Sequence, residues 1–254
     1  PILQVVRRPV VEDPADPVVF PSISVIIPCL NDTERLRSTL ERFRGFGHPL
    51  ELIVADASGE GERPHVSCAA RQLGAKLVTL DRAGRGHQLR EGAAVASGDV
   101  LLFQHADVHF GREHLESLLN ALERDRTIVG GGFYKDLAKH YPALFWAEGW
   151  IKFWEEHIGI IYGDQSVFVR RSHYDRLGGI RDMPLMEDME FSYRLRASGK
   201  VVLLEPALFA SMRRFRKEGV IKRKFFNWLT IQLFRMGATP EWLYKFYYGR
   251  NPGR

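Results

Sequence analysis

An α/β domain, with a mostly parallel central sheet and helices on both faces, is the fold class this sequence predicts. Apolar runs of strand length alternate with helix-patterned segments from Ile23 to Gln104, and each run ends in polar or acidic residues. Size agrees: 254 residues, 45% of them hydrophobic, can bury a sizeable core in one large domain. Ligands of such a sheet gather at the carboxyl ends of its strands.

The elements follow in chain order. Pro9, Pro14, Pro17 and Pro21, set among charges, disfavour a helix, so residues 1–21 are expected as an extended arm. The folded domain is expected to start near residue 22 and to run to about residue 212. Residues 23–27 are a buried strand, followed by a helix capped by Asn31 or Asp32 with Glu34 in its first turn. Residues 50–55 and 76–80 are the next two strands. Residues 88–96 form a helix ended by Gly98, and 100–104 the fourth strand. Residues 167–169 read as a strand, and 189–197 as a helix ended by Gly199. Residues 213–254 form a basic, aromatic helical segment. The chain carries no internal repeat and no low-complexity segment.

Lys and Arg exceed Asp and Glu by 36 to 31, a net charge of +5. So mild an excess suits a phosphate-bearing ligand or an anionic membrane face. It does not argue for nucleic acid, and no RNA- or DNA-reading signature is present. The two cysteines, Cys29 and Cys68, make no disulfide framework, which predicts a reducing, cytoplasmic setting. There is neither a signal peptide nor an apolar run of membrane-spanning length. Membrane contact is therefore expected only at the surface, on the cytoplasmic face.

Residues suited to ligand work stand at the strand ends. Asp56 opens Asp56-Ala57-Ser58-Gly59, either as an acceptor for a base or ribose or as an Asx-turn residue. Asp81 to His87 is a glycine-flanked basic loop entering a helix, either holding diphosphate through Arg85 or simply solvated. Asp107 follows the apolar run Val100-Leu101-Leu102-Phe103, where a bare carboxylate calls for a cleft, a metal or a basic partner. If the strand persists, His105 and His109 share its face with Asp107, as site or as wall residues. Glu187-Asp188, ahead of a helix, are either caps favoured by its dipole or a base for an acceptor hydroxyl. Asp164, in Gly163-Asp164-Gln165-Ser166, lines the acceptor side or serves a turn. Trp150, within Phe145 to Trp154, either stacks on a sugar or lipid or belongs to the core. Arg213 to Lys217 and Lys222 to Phe226 read as a membrane-surface helix or as a helix packed over the site, from which Arg213 can reach a diphosphate.

Taken together these residues resemble the family 2 glycosyltransferases of the GT-A fold, over about residues 22 to 205. The run SVIIPCLND is similar to the family's first strand and nucleotide-contacting turn, which implies donor contacts at Pro28, Leu30 and Asn31. Asp56 matches the acid that contacts the nucleotide base. GAAVASGDVLLFQHAD resembles the approach to the DxD motif, with Asp107 on the metal-binding second acid and His105 in place of the first. RRSHYDRLGGIRDMPLMEDMEFSYRLRASGK resembles the acceptor-side signature ending in the ED dipeptide. Within the family the chain is most similar to a small non-processive subgroup, labelled arsenosugar-biosynthesis or rSAM-associated, that carries GRGxQ and HAD. Arg85, Gln88, His105 and Asp107 fall on those motifs, while Arg90 stands where relatives often carry Asn.

The resemblance implies a nucleotide-binding half over about 22–110 and an acceptor half over about 111–212. It implies inverting transfer of a sugar from a nucleotide-diphosphate sugar to a hydroxyl, with lipid-linked acceptors among the candidates. Asp188 would be the base, and Glu187 would orient the acceptor or Asp188. A divalent cation, Mn or Mg, on Asp107 and the Arg85 guanidinium would offset charge on the leaving group. Gly163, Asp164, Gln165, Trp150 and Arg213 would line the acceptor side. A nucleotide-sugar-binding protein without turnover is the alternative; loss of the first DxD acid favours it and Glu187-Asp188 opposes it. A nucleotidyltransferase would carry a glycine-rich, lysine-containing loop where this chain has Pro28-Cys29-Leu30-Asn31.

Overall fold

Unbroken apolar runs rich in Val, Ile and Leu suit strands buried on both faces, and they build the centre of the molecule. The structure, a computed structural model, describes residues 4–5, 21–135, 160–210, 220–249 and 251. The strands are Gln4–Val5 (β1), Ile23–Cys29 (β2), Leu50–Asp56 (β3), Lys76–Thr79 (β4), Val100–Phe103 (β5), Val108–His109 (β6), Ile128–Lys135 (β7), Phe168–Arg170 (β8) and Lys200–Ala210 (β9). The helices are Thr33–Arg44 (α1), Arg63–Gln72 (α2), Arg85–Ala94 (α3), Arg112–Arg124 (α4), Arg171–Arg176 (α5), Glu187–Ser198 (α6), Val220–Arg235 (α7) and Pro240–Tyr248 (α8). Strand order is β1-β9-β7-β8-β5-β2-β3-β4, with β6 attached to β9. Neighbours run parallel except at β8, which is antiparallel to β5 and β7, and at β6. Of the N-terminal arm, Gln4 and Val5 pair with Val202 and Leu203 at the sheet edge.

The two-residue period of β2 sorts the helices onto two faces. Val25 and Ile27 pack with Leu36, Leu40 and Phe43 of α1 and with Leu118 and Leu122 of α4. Ile26 points the other way, onto Leu89 and Ala93 of α3, with Phe191 and Leu195 of α6 in the same cluster. Gly92 lets α3 lie close, since a Cβ there would stand 2.5 Å from Ile26 Cγ2. Register places Cys29 beside Asp56 and Ile26 beside Phe103, so the loops after β2, β3 and β5 leave one edge of the sheet together.

Several boundaries differ from expectation. Helix α3 begins at Arg85 rather than 88, because Gly84 (φ 158°) breaks the chain and its carbonyl accepts Gln88 N–H at 2.8 Å. Neither Asn31 nor Asp32 caps α1 with its side chain. Asp32 Oδ2 pairs with Arg35 at 2.6 Å instead, and Asn31 Oδ1 accepts Gly59 N–H at 2.8 Å. Strand β5 does not persist to residue 109: residues 106–107 turn before β6. The Gln104 amide nitrogen donates to the carbonyls of His105 and Val108 at 2.8 and 2.9 Å, which gives the turn its partners. His105 and His109 therefore do not share a strand face.

Helices α7 and α8 pack through Phe226 and Phe246, stacked at 4.8 Å, and Arg235 Nε of α7 donates to Tyr193 Oη of α6 at 3.1 Å. No helix among the described residues is long and apolar enough to cross a membrane. Trp150 and Arg213 lie outside the described residues.

Candidate active site

The first two residues of α6 are the acidic pair, set there by Met186 in the left-handed conformation (φ 66°). A helix N-terminus favours negative charge, and Asp188 takes full advantage. Its Oδ1 accepts Met189 N–H at 2.8 Å; its Oδ2 accepts Gly163 N–H at 2.8 Å and lies 3.1 Å from Arg85 Nη2. Arg85 opens α3, where a cation is disfavoured by the dipole, and meets the acidic pair across 102 positions of chain. Its Nε donates to Glu187 Oε1, and Glu187 is almost wholly buried. Burial lowers the Arg85 guanidinium, but Glu187 and Asp188 outweigh it and hold it above its usual value, with Tyr248 of α8 acting in the same direction. Burial raises the Glu187 carboxyl, Arg85 offsets this and Asp188 adds to it. Gly86 makes the approach possible, because a Cβ there would stand 2.6 Å from the Arg181 carbonyl oxygen.

Gly163 sits at the centre. A Cβ on it would come within 3.0 Å of His105 Nε2, 3.1 Å of Arg85 Nη1 and 3.1 Å of Asp188 Oδ2. Burial and the neighbouring Arg85 lower the His105 imidazole, against Asp107, Asp164 and Asp188. Asp164 is more than a turn residue: Lys135 Nζ lies 3.0 and 3.3 Å from its two oxygens and 4.9 Å from the centre of the Tyr162 ring. Burial raises the Asp164 carboxyl, but Lys135, His105 and Arg85 outweigh it. Gln165 faces inward and is buried, its amide bonded to the Phe133 carbonyl at 3.0 Å and to Tyr162 N–H at 2.8 Å.

At the ends of β2 and β3, Asp56 is buried and its Oδ1 accepts Ser58 N–H at 3.0 Å, an Asx-turn. Asn31 (φ 52°) joins the loops after β2 and β3: its N–H donates to Ser58 Oγ at 2.8 Å. Leu30 is exposed beside it, and Pro28 is half-buried near the end of β2. Gln88 lies beneath, its amide nitrogen donating to the carbonyls of Cys29 and Ala55 at 2.7 and 2.9 Å. That ties two strand ends together and accounts for a glutamine at this position.

Asp107 is exposed and lines an open pocket on the α1 side of the His105–Asp107 turn. Among the described residues no three His, Cys, Asp or Glu side chains gather to ligate a metal. Asp107 offers the single carboxylate with which a Mg-type site can begin, the remaining ligands then coming from substrate phosphates and water.

Asp188, Glu187, Arg85, His105, Gly163 and Asp164 thus form one cluster, whereas Asp107 stands on the far side of its turn. Lys135, Tyr162 and Tyr248 join the cluster without any motif in the sequence to mark them. The Asp188 carboxylate is oriented by two backbone donors and an arginine.

The glycosyl transferase family 2 profile matches residues 24–174. The 4,4'-diaponeurosporenoate glycosyltransferase of Staphylococcus haemolyticus (strain JCSC1435) is 33% identical over 113 residues, which cover 41% of this chain and 29% of that protein. The matched stretch is thus under a third of that relative's length. The mannosyltransferase PcManGT from Pyrobaculum calidifontis, solved with GDP-Man and Mn2+, superposes with a TM-score of 0.63 at 22% identity, covering 89% of this chain and 67% of that one. Glucosyl-3-phosphoglycerate synthase from Mycobacterium tuberculosis, solved with Mn2+, UDP and glucosyl-3-phosphoglycerate, gives 0.58 at 19% identity, covering 86% of this chain and 81% of that one. These solved structures share the fold.

Proposed function

This chain belongs to glycosyl transferase family 2, and from that membership we propose that it moves a sugar from a nucleotide-diphosphate sugar to a hydroxyl acceptor, by inverting and non-processive transfer. One observation carries the reading: Asp188 is fixed by Gly163 N–H and Arg85 in a cluster with His105 and Asp164. Asp188 removes the acceptor's proton as its oxygen attacks the sugar's anomeric carbon. The bond from that carbon to the diphosphate oxygen breaks, and the nucleoside diphosphate leaves with the electron pair. Glu187 orients Arg85, which offsets the growing negative charge. A divalent cation, Mn or Mg, held by Asp107 supplies further charge to the diphosphate when bound. Pro28, Leu30, Asn31 and Asp56 meet the nucleotide, and Gly163 and Asp164 meet the acceptor.

Arg85-Gly86-His87-Gln88 and His105-Ala106-Asp107 support a place in the arsenosugar or rSAM-associated subgroup. Trp228 and Trp242, about half exposed on α7 and α8, support contact with a membrane face, where lipid-linked acceptors reside, and the free thiols of Cys29 and Cys68 support the cytoplasmic side of it.

Calorimetric titration of nucleoside diphosphates and their sugars, with and without manganese, tests the donor. Metal-dependent binding of one nucleotide is expected; no binding across the panel overturns the reading. With the donor found, Asp188→Asn should lower kcat by about 10²- to 10⁴-fold at nearly unchanged donor affinity, the usual contribution of a general base. Unaltered turnover would remove Asp188 from the mechanism, and a protein without turnover would be a binder.

A further inference from the structure

Helix α1 buries Leu36, Leu40 and Phe43 and sends Arg35, Ser38 and Arg42 to another face, at the i, i+3 and i+7 positions of one stripe. With Asp107 and His109 across from them and Phe209 of β9 alongside, they line an open pocket of about 370 Å³. None of these residues belongs to the Asp188 cluster. Arg35 already has a carboxylate, Asp32, at 2.6 Å. Arg42 has none: its Nη1 is fully buried with no hydrogen-bond partner among the described residues. Burial alone lowers its guanidinium, with no carboxylate acting against it. Arginine cannot discard its charge as a buried lysine can, and a buried, unsatisfied charged donor is costly to keep. A residue that served only packing would be better replaced by an apolar one.

We propose that this pocket is a binding site for a phosphate-type oxyanion, with Arg42 as its principal donor and Arg35 and Ser38 as supporting donors. The planar guanidinium offers paired N–H groups to two oxygens of one phosphate. Asp107, the one carboxylate among the described residues that line the pocket, is placed to accept from a hydroxyl carried by the same molecule. The volume exceeds that of one phosphate and lies at the low end of small-molecule sites. The proposal shares Asp107 with the cation role given to it in the transferase reading but uses neither Asp188 nor Arg85, so Arg42 can be tested without touching the proposed base.

The test follows the Arg42 side-chain Nε–H signal by NMR, identified by its loss in Arg42→Met, during titration with inorganic phosphate and separately with glycerol 3-phosphate. A saturable shift with either probe is expected. Tighter binding of glycerol 3-phosphate marks a phosphorylated organic ligand, and equal binding marks the free ion. Thermal unfolding supplies a second readout. In phosphate-free buffer Arg42→Met should unfold at the wild-type temperature or above it, and it should lose the stabilisation that the probe gives wild type. An Arg42 signal that neither probe moves, or an Arg42→Met protein that is destabilised without the probe and still stabilised by it, overturns the proposal.

Discussion

Replacing Gly163 by alanine tests whether the cluster at the head of α6 is where turnover happens. The added methyl would stand 3.0 Å from His105 Nε2 and 3.1 Å from both Arg85 Nη1 and Asp188 Oδ2. Comfortable contacts lie near 3.5 Å, so each group must give by roughly 0.4 to 0.5 Å. Misplacing reacting groups by about 1 Å costs on the order of 10²-fold in rate, so half that displacement predicts about a tenfold fall in kcat. Donor affinity should stay within about threefold, because Asp56 and Asn31 are untouched. Gly61→Ala, where a Cβ meets nothing within 4 Å, is the control. The assay is steady-state release of the nucleoside diphosphate, with donor affinity measured by calorimetry and folding by thermal melt. Gly163→Ala turnover within twofold of wild type, in a folded protein, would refute the reasoning. So would an equal loss of donor affinity, which would place the fault in binding.

Asp125 is held down to about 2, by Lys200 at 2.8 Å and then by Thr127, so the stability it contributes is present above its ordinary 3.8 and is lost as pH falls through about 2. With both side chains 30% exposed the pair is worth at most about 1 kcal/mol, so Asp125→Asn should cost that much at pH 7 and progressively less as pH falls through about 2 in urea titrations. Burial, with the charges of Asp56 and Asp32 adding to it, pushes the Cys29 thiol up to about 11. Iodoacetamide at pH 8 should therefore modify the half-buried Cys68 well before Cys29, as read by peptide mass spectrometry, and comparable labelling would contradict the buried end of β2. Gly92→Ala should lower stability by about 1 to 3 kcal/mol through overpacking on Ile26, despite alanine's helix preference, and an unchanged denaturant midpoint would contradict the close seat of α3.

The central strands were legible because β2, β3 and β5 are buried on both faces, and burial of that kind writes itself as unbroken apolar runs. Their ends were less so. The alternation His105, Asp107, His109 reads as strand, yet the Gln104 amide supplies the hydrogen bonds of a turn and sends His105 and Asp107 to different sides. Asp188 and Glu187 were legible as a pair at a helix start, and Arg85 as a cation at a loop end. Their contact was not, because it depends on how α3 and α6 cross the same sheet face and on Gly86 letting the chain between them close in. Lys135 gave no sign at all: it ends a glycine-rich strand and becomes a site residue only because Asp164 is folded against it.

The charge balance of the cluster bears on its need for a cation. Among the described residues, Glu187, Asp188 and Asp164 stand with two fixed cations, Arg85 and Lys135, each already paired with a carboxylate. Burial keeps His105 toward its neutral form, so it adds little positive charge. A diphosphate brought to this side of the sheet would meet an excess of negative charge, at close range and partly out of water, where such repulsion is least screened. Without added positive charge the donor and the Asp188 carboxylate oppose one another. A divalent cation, if held at Asp107 when the diphosphate enters, would lessen that opposition, and Asp188 would keep its own partners, Gly163 N–H and Arg85. The same balance explains why Arg85 is secured by a buried glutamate, since only a guanidinium fixed in place can steady the Asp188 charge until a donor arrives.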